Sequence, residues 1–171
     1  GKSSDLLFHP HYYGTWYSGS GTKLYLTRDN GYTYEQVYDF GADVAAMDLC
    51  QSDPNVIYAC TFPDWWGTKR IYRTLNGGAT WTEVTPPASV LNNGIIWIPY
   101  DIAVDLDDPM KVWIVRTSMY SDYPSYNGYK VYKSNNGGAT WTNISGTALY
   151  GQDPTCLMLQ EGTNEGLYIG T

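Results

Sequence analysis

The amino-acid sequence predicts an all-β chain made of repeated four-stranded antiparallel units. Short runs rich in Tyr, Val, Ile and Thr alternate with clusters of Gly, Asn, Asp and Pro, as in chains of short strands and turns. No stretch carries a sustained helical period, and one octapeptide occurs three times. The chain has 171 residues, enough for one domain with its own core. We therefore predict a single domain over residues 1–171.

The octapeptide has the pattern Ser/Thr-x-Asp/Asn-x-Gly-x-Thr-aromatic. Its copies begin at Thr27, Thr74 and Ser134, and their spacing is that of one four-stranded propeller blade plus variable loops. The sequence therefore predicts a β-propeller of which about three and a half blades are present. The predicted blades cover residues 1–40, 41–87, 99–147 and 152–171, the last one incomplete.

A second repeat lies upstream of the octapeptides. Asp53-Pro54 and Asp108-Pro109 each precede an apolar run, and looser copies begin at His9-Pro10 and at Gly162. Each blade then reads as strand, Asp-Pro turn, strand, loop, strand, octapeptide turn and strand. Because an open propeller edge exposes unpaired backbone groups, we expect further blades or a partner chain to complete the ring.

Each octapeptide position has a structural role. The Asp or Asn accepts hydrogen bonds from the amides of its own turn, and the Gly permits the positive φ that a tight hairpin needs. The closing aromatic residue wedges between neighbouring sheets. The residues predicted to be structural in this way are Asp29, Gly31, Asn76, Gly78, Trp81, Asn136, Gly138 and Trp141.

The three octapeptides resemble the Asp box, also called the bacterial neuraminidase repeat. This repeat is found in sialidases, xyloglucanase-type glycoside hydrolases, sortilin-type receptor ectodomains and photosystem II assembly factors. The resemblance implies a propeller fold and a secreted, extracellular protein, and it does not fix an activity because these families differ in chemistry. The three-arginine clasp that a sialidase would need is not assembled by the arginines present.

The direction of the chain separates two faces of the propeller. The turns after strands 1 and 3 of a blade lie on one face, and the long loops at 61–69, 85–100 and 118–128 lie on the other. Long loops often carry function, and aromatic rings suit either the faces of sugar rings or a protein interface. The candidate ligand-binding residues on this face are Trp65, Trp66, Trp97, Tyr100, Tyr120, Tyr123 and Tyr126.

Three aspartates are weak catalytic candidates. A glycosidase needs two carboxylates about 5–10 Å apart across the sugar, and Asp101, Asp64 and Asp122 lie on the loop-bearing side. Asp101 precedes an inner strand and is best placed to face the central channel, although it can equally cap the entry to that strand. No local motif joins any two of them.

These features favour a propeller segment that binds a glycan or a protein, or that serves a structural role. The alternative is a polysaccharide hydrolase acting on xyloglucan or another β-glucan, with its carboxylates shared between this chain and other blades. An exo-α-sialidase is the least favoured. The first residues are polar and show no signal peptide, so we expect any leader to have been removed or to lie outside this chain.

The charge excludes some partners. The chain has 10 Lys+Arg against 17 Asp+Glu, a net charge of −7. An acidic surface repels phosphate backbones and anionic membranes, and no apolar run approaches the roughly 20 residues needed to span a bilayer. We therefore expect neither nucleic-acid binding nor membrane insertion.

No cofactor is predicted. Asp105, Asp107 and Asp108 form an acidic turn whose oxygens could hold Ca²⁺, but a solvated turn explains them as well. His9 and His11 flank Pro10 in a turn, where a surface pair is a better interpretation than a metal site.

The cysteines carry no metal-ligand spacing. Cys50, Cys60 and Cys156 all fall in predicted strands and are interpreted as buried free thiols. The expected register of the second blade sets Cys60 opposite Met47.

Overall fold

A computed structural model describes residues 6–62, 70–87, 89–91, 97–118, 130–160 and 166–171. In these ranges every regular element is a β-strand and no α-helix occurs. The part of the chain described therefore holds no helix long and apolar enough to cross a bilayer. The prediction of an all-β fold is confirmed.

The strands form antiparallel meanders in chain order. The first sheet contains β1 (Leu6–Phe8), β2 (Trp16–Ser20), β3 (Lys23–Thr27) and β4 (Glu35–Asp39). The second contains β5 (Asp43–Leu49), β6 (Ile57–Phe62), β7 (Arg70–Thr74) and β8 (Thr82–Glu83). The third contains β9 (Trp97–Val104), β10 (Val112–Ser118), β11 (Val131–Ser134) and β12 (Thr142–Asn143). A fourth, two-stranded sheet pairs β13 (Cys156–Leu159) with β14 (Leu167–Gly170). This is the partial propeller that the repeat predicts.

The burial of β6 shows how the sheets stack. Successive side chains of a strand point to opposite faces, and both faces of β6 are buried. Ile57 and Ala59 join the core shared with the first sheet, whereas Tyr58 and Cys60 join the core shared with the third. The second sheet is therefore packed between its two neighbours, which explains why β6 is an almost continuous apolar run.

The register of the second sheet differs from expectation by one residue. Cys60 pairs with Ala46, and Met47 pairs with Ala59, because a β-bulge interrupts the pairing between Val44 and Ala46. A bulge shifts every later pair and leaves no clear trace in residue type.

The cysteines also differ from expectation. Cys50 and Cys60 are buried free thiols, whereas Cys156 is a free thiol with an exposed side chain. Cys156 lies in the two-stranded sheet, where no described strand covers it on that side.

The strand β9 begins earlier than predicted. The sequence places residues 97–100 in a loop, but these residues pair with β10, Trp97 opposite Ser118 and Pro99 opposite Arg116. Proline breaks strands by removing an N–H, yet it is tolerated on an edge strand. β9 is the inner edge of its sheet, so the expected loop is shorter by these four positions.

The first turn of the first sheet also needs a correction. Residues 9–15, 50–56 and 105–111 join the first two strands of the three sheets with the same backbone bonds. The carbonyl of Tyr12 accepts the amide three residues on, as those of Asp53 and Asp108 do. Tyr12-Tyr13, rather than His9-Pro10, therefore occupies the Asp-Pro position.

Candidate functional site

The octapeptide turns are built by two side chains each. In the first copy Thr27 Oγ1 accepts the Gly31 amide at 2.9 Å and donates to Asp29 Oδ1 at 2.8 Å. Asp29 Oδ1 also accepts the Thr33 amide at 2.9 Å. The same bonds recur around Thr74 with Asn76 and around Ser134 with Asn136. Each copy connects the third and fourth strands of its sheet.

The hydroxyl at the first octapeptide position was not given a role in the sequence analysis. Thr27, Thr74 and Ser134 are all buried, and each oxygen both donates and accepts within its turn. A Ser or Thr kept at one position in three copies is the signal that could have revealed this role.

The octapeptide glycines lie where sheets meet. A Cβ on Gly78 would stand 2.6 Å from Val37, and one on Gly138 would stand 2.5 Å from Val84, each in the preceding sheet. Both glycines also have positive φ. The turns of the second and third sheets therefore abut the outer region of the sheet before.

The first octapeptide lacks that neighbour among the described residues. A Cβ on Gly31 would meet Trp16 and Tyr34 of its own sheet. Tyr34 is 51% exposed, whereas the equivalent Trp141 is 6% exposed and donates from Nε1 to the Val84 carbonyl. One surface of the first sheet thus remains open.

Side chains of one sheet also bind the turns of the next. The Tyr17 hydroxyl donates to the Gly77 carbonyl at 3.2 Å. Arg73 donates to the Gly137 carbonyl at 2.8 Å, and the Tyr58 hydroxyl donates to a carbonyl in the third sheet. Burial raises the pKa of Tyr58 to about 12, so its hydroxyl stays protonated and donates across the physiological range.

Asp101, the favoured catalytic candidate, lies within β9. Its Oδ1 accepts the Ile102 amide at 2.9 Å, and its Oδ2 accepts the Leu157 amide of the fourth sheet at 2.8 Å. In an antiparallel ladder alternate amides point away from the partner strand, so an inner edge strand leaves such donors unpaired. Asp101 supplies acceptors for one amide on each side of the gap between two sheets.

Asp48 does the same one sheet earlier and was missed by the sequence analysis. Its Oδ1 accepts the Leu49 amide at 2.9 Å, and its Oδ2 accepts the Val104 amide of the third sheet at 2.7 Å. A carboxylate inside the otherwise apolar run of β5 is the signal that could have marked it. Asp48 and Asp101 line one cavity of about 360 Å³ between the inner strands.

The two carboxylates stabilise the ring more directly than they suit catalysis. Charge-assisted hydrogen bonds to backbone amides hold a carboxylate ionised and fixed in place, whereas a general acid must carry a proton. The arrangement of Asp101 therefore favours a role in joining sheets.

The other candidates on the long loops are placed as follows. Trp97 and Tyr100 lie on strand β9. Asp64, Trp65, Trp66, Tyr120, Asp122, Tyr123 and Tyr126 lie outside the described residues.

The acidic turn at Asp105 uses its carboxylates within the turn. Asp105 Oδ1 accepts the amides of Asp107 and Asp108, and Asp108 Oδ1 accepts that of Met110. In the described ranges no group of three or more His, Cys, Asp or Glu side chains is arranged to hold a metal ion.

Comparison with curated proteins finds one similar sequence in particular. The xyloglucanase of Hypocrea jecorina (strain QM6a) is 24% identical over 158 residues, which cover 91% of this chain. The chain spans only 17% of the length of that enzyme. No family model matches the sequence.

Solved structures with the same fold include other propellers. The GH74 xyloglucanase of Xanthomonas campestris has a TM-score of 0.63 at 14% identity, covering 89% of this chain and 24% of that one. A GH74 enzyme of Niastella koreensis has a TM-score of 0.62 at 19% identity, covering 96% of this chain and 26% of that one. YCF48 from Cyanidioschyzon merolae has a TM-score of 0.53 at 16% identity, with 83% and 37% covered. The chain is therefore a partial β-propeller with the fold seen in GH74 enzymes and in YCF48.

Proposed function

We propose that this chain belongs to an extracellular propeller that binds a β-glucan-type polysaccharide on its loop-bearing face. The proposal rests on the similarity to a protein named a xyloglucanase, which extends over 91% of the chain. Neighbours in fold include GH74 enzymes from two bacteria. The aromatic residues of the long loops provide rings of the kind that stack on sugars.

Asp101 is the observation that favours binding over catalysis. Both of its carboxylate oxygens accept backbone amides, one of them in the neighbouring sheet. A hydrolase would then depend on Asp64 and Asp122, or on carboxylates of other blades. We therefore infer that this segment holds the polysaccharide and does not cleave it alone.

We also propose that the octapeptides are Asp boxes. Their hydrogen bonds are the same in all three sheets, and each occupies the turn between the third and fourth strands. This repeat implies a secreted protein, so we propose an extracellular location. An acidic net charge of −7 is consistent with a neutral polysaccharide rather than a nucleic acid as partner.

Hydrolysis is the second candidate, favoured by the similarity to a xyloglucanase. Polysaccharide binding and release of reducing ends separate the two. We expect the chain to bind xyloglucan by isothermal titration calorimetry, with affinity reduced at least tenfold in a Trp65→Ala/Trp66→Ala variant. We expect Tyr32→Ala, an 88% exposed site on a turn, to leave affinity unchanged.

The reducing-end assay decides about catalysis. Release of reducing sugars by the chain, lost in Asp64→Asn or Asp122→Asn, would replace the binding proposal with hydrolysis. Absence of xyloglucan binding by the chain and by a longer propeller containing it would refute both.

A further inference from the structure

The turn at residues 9–15 keeps the backbone bonds of its two equivalents but not their residues. In the second and third sheets the Asp of the Asp-Pro pair accepts a turn amide, Asp53 Oδ1 from Asn55 and Asp108 Oδ1 from Met110. Tyr12 occupies this position in the first sheet and has no carboxylate to offer. The fold therefore does not require Tyr12, and departures from a local rule tend to mark functional positions.

Both tyrosines of this turn face solvent. Tyr12 is 66% exposed and Tyr13 is 95% exposed. Large apolar side chains kept exposed together in one place mark binding surfaces. The turn lies on the same face as the octapeptide turns, because both follow odd-numbered strands of the meander. It is thus remote from the long loops.

These residues border a cavity of about 570 Å³. Its size is within the range of about 300–1,000 Å³ that small-molecule sites occupy. Its lining contains no Asp, Glu, Lys or Arg, although the chain as a whole carries a net charge of −7. An uncharged lining disfavours ionic ligands and suits a neutral one. The side chains used in the argument are Phe8, His9, Tyr12, Tyr13, Trp16 and Asn30.

Two ring pairs shape the cavity. Phe8 and Trp16 face each other across β1 and β2, with ring centroids 5.6 Å apart and planes inclined by 52°. His9 and Tyr12 have centroids 4.6 Å apart and planes inclined by 40°. Tilted aromatic walls offer flat apolar surfaces at two angles, which the C–H faces of successive pyranose rings can contact.

Polar groups complete the lining. His9 Nδ1 accepts the His11 amide at 3.2 Å, which leaves Nε2 of the neutral ring to carry the proton and donate. Burial, and then the neighbouring His11, lower the pKa of His9 and favour its neutral form. Asn30 offers both a donor and an acceptor. Within the described residues the buried Nε1 of Trp16 has no acceptor, and a ligand hydroxyl could supply one.

We propose that the turn of residues 9–15, together with Phe8, Trp16 and Asn30, binds a short neutral oligosaccharide. The rings stack on the sugar, while His9 and Asn30 bond its hydroxyls. This site lies on the face opposite the long loops, and it is independent of the polysaccharide site proposed there.

The chain itself supplies the substitution for the test. Tyr12→Asp combined with Tyr13→Pro installs the pair found in the second and third sheets, and the equal length and shared backbone bonds of the turns favour retention of the fold. Tyr32→Ala removes a comparably exposed tyrosine outside the cavity. Trp65→Ala/Trp66→Ala affects only the loop-bearing face. Circular dichroism and thermal unfolding check each variant.

Binding of cellopentaose, mannopentaose and maltopentaose to the 171-residue chain is measured by calorimetry and Trp fluorescence. We expect at least one to bind, with affinity at least tenfold weaker in the Tyr12→Asp/Tyr13→Pro variant. Affinity should be retained in Tyr32→Ala and in the loop variant. Equal affinity in the turn variant, or no binding of any of the three, would overturn the proposal. Self-association lost in the turn variant without sugar binding would instead identify a protein interface and overturn it too.

Discussion

Asp101 accepts the backbone amide of Leu157 at 2.8 Å, so a single carboxylate joins the inner strands of the third and fourth sheets. Inner strands are edge strands, and an edge with unpaired N–H groups costs free energy when water is excluded. The neighbouring sheet supplies the missing acceptor. The residue that the sequence marked for chemistry is in this way part of the architecture.

We expect Asp101→Asn to lower the free energy of unfolding by about 1–3 kcal/mol, because an amide group keeps one acceptor and sets an N–H against another donor. Urea unfolding measures the change, and hydrogen exchange at Leu157 should accelerate. Asp107→Asn, at an exposed position on a turn, is the control and should have little effect. Loss of polysaccharide cleavage with unchanged stability would return Asp101 to a catalytic role.

Asp29 should tolerate Asn but not Ala. Asn76 and Asn136 make the equivalent bonds, with the amide nitrogen donating to the Thr hydroxyl that donates to Asp29 in the first copy. We expect Asp29→Asn to be nearly neutral and Asp29→Ala to cost about 1–2 kcal/mol, as the loss of a turn-capping acceptor does. Equal loss in both variants would contradict this account.

The first octapeptide should also be the one most sensitive to acid. Hydrogen bonds from the Thr33 side chain and backbone, and then from Thr27, hold the pKa of Asp29 below its usual value of 3.8. A lowered carboxyl pKa contributes stability that is present above pH 3.8 and is lost as the pH falls through the folded-state value. Comparison of unfolding curves between pH 5 and 2 should therefore show a weaker pH dependence for Asp29→Asn than for the parent.

Gly138→Ala should be more harmful than Gly146→Ala. Both glycines have positive φ, which costs an alanine about 1–2 kcal/mol. A Cβ at Gly138 would also stand 2.5 Å from Val84, whereas none of the described atoms lies within 4 Å of one at Gly146. We expect an additional loss of about 1–3 kcal/mol from overpacking at Gly138. Equal midpoints in urea for the two variants would contradict the contact between sheets.

Tyr58 should make stability sensitive to alkali. Its hydroxyl donates to the Pro109 carbonyl at 2.9 Å, and burial raises its pKa to about 12. A raised pKa gives stability that is present below pH 10 and is lost as the pH rises towards 12. Tyr58→Phe should reduce that dependence and cost about 1–2 kcal/mol at pH 7. Tyr32→Phe, at an exposed site, should change neither quantity.

The strands and octapeptide turns were predictable because their determinants are local. Asp29 and Gly31 are within a few residues of the amides and dihedral angles they serve, so a repeated pattern is enough to find them. The position of Tyr12-Tyr13 was not, because its equivalence to Asp53-Pro54 is defined by shared backbone bonds and not by residue type.

Contacts between sheets were beyond the sequence. Asp48 and Val104 are far apart along the chain, and nothing near either one announces their bond. The bulge beside Val44 shifted the register of Cys60 for a related reason, since pairing is set by two strands together. The candidate site was predictable as a face of the propeller, whereas the role of its central carboxylate was not.

The bonds between sheets have a direction. In most of them a side chain of an earlier sheet reaches the backbone of a later one, and Trp141 is an exception. During synthesis the amino-terminal part of a chain leaves the ribosome first, so each finished sheet already presents the groups that receive its successor. We expect assembly to proceed vectorially, each new sheet condensing on a prepared template. The links that run forward are Tyr17 to Gly77, Asp48 to Val104, Tyr58 to Pro109, Arg73 to Gly137, Asp101 to Leu157 and Lys130 to Gln152.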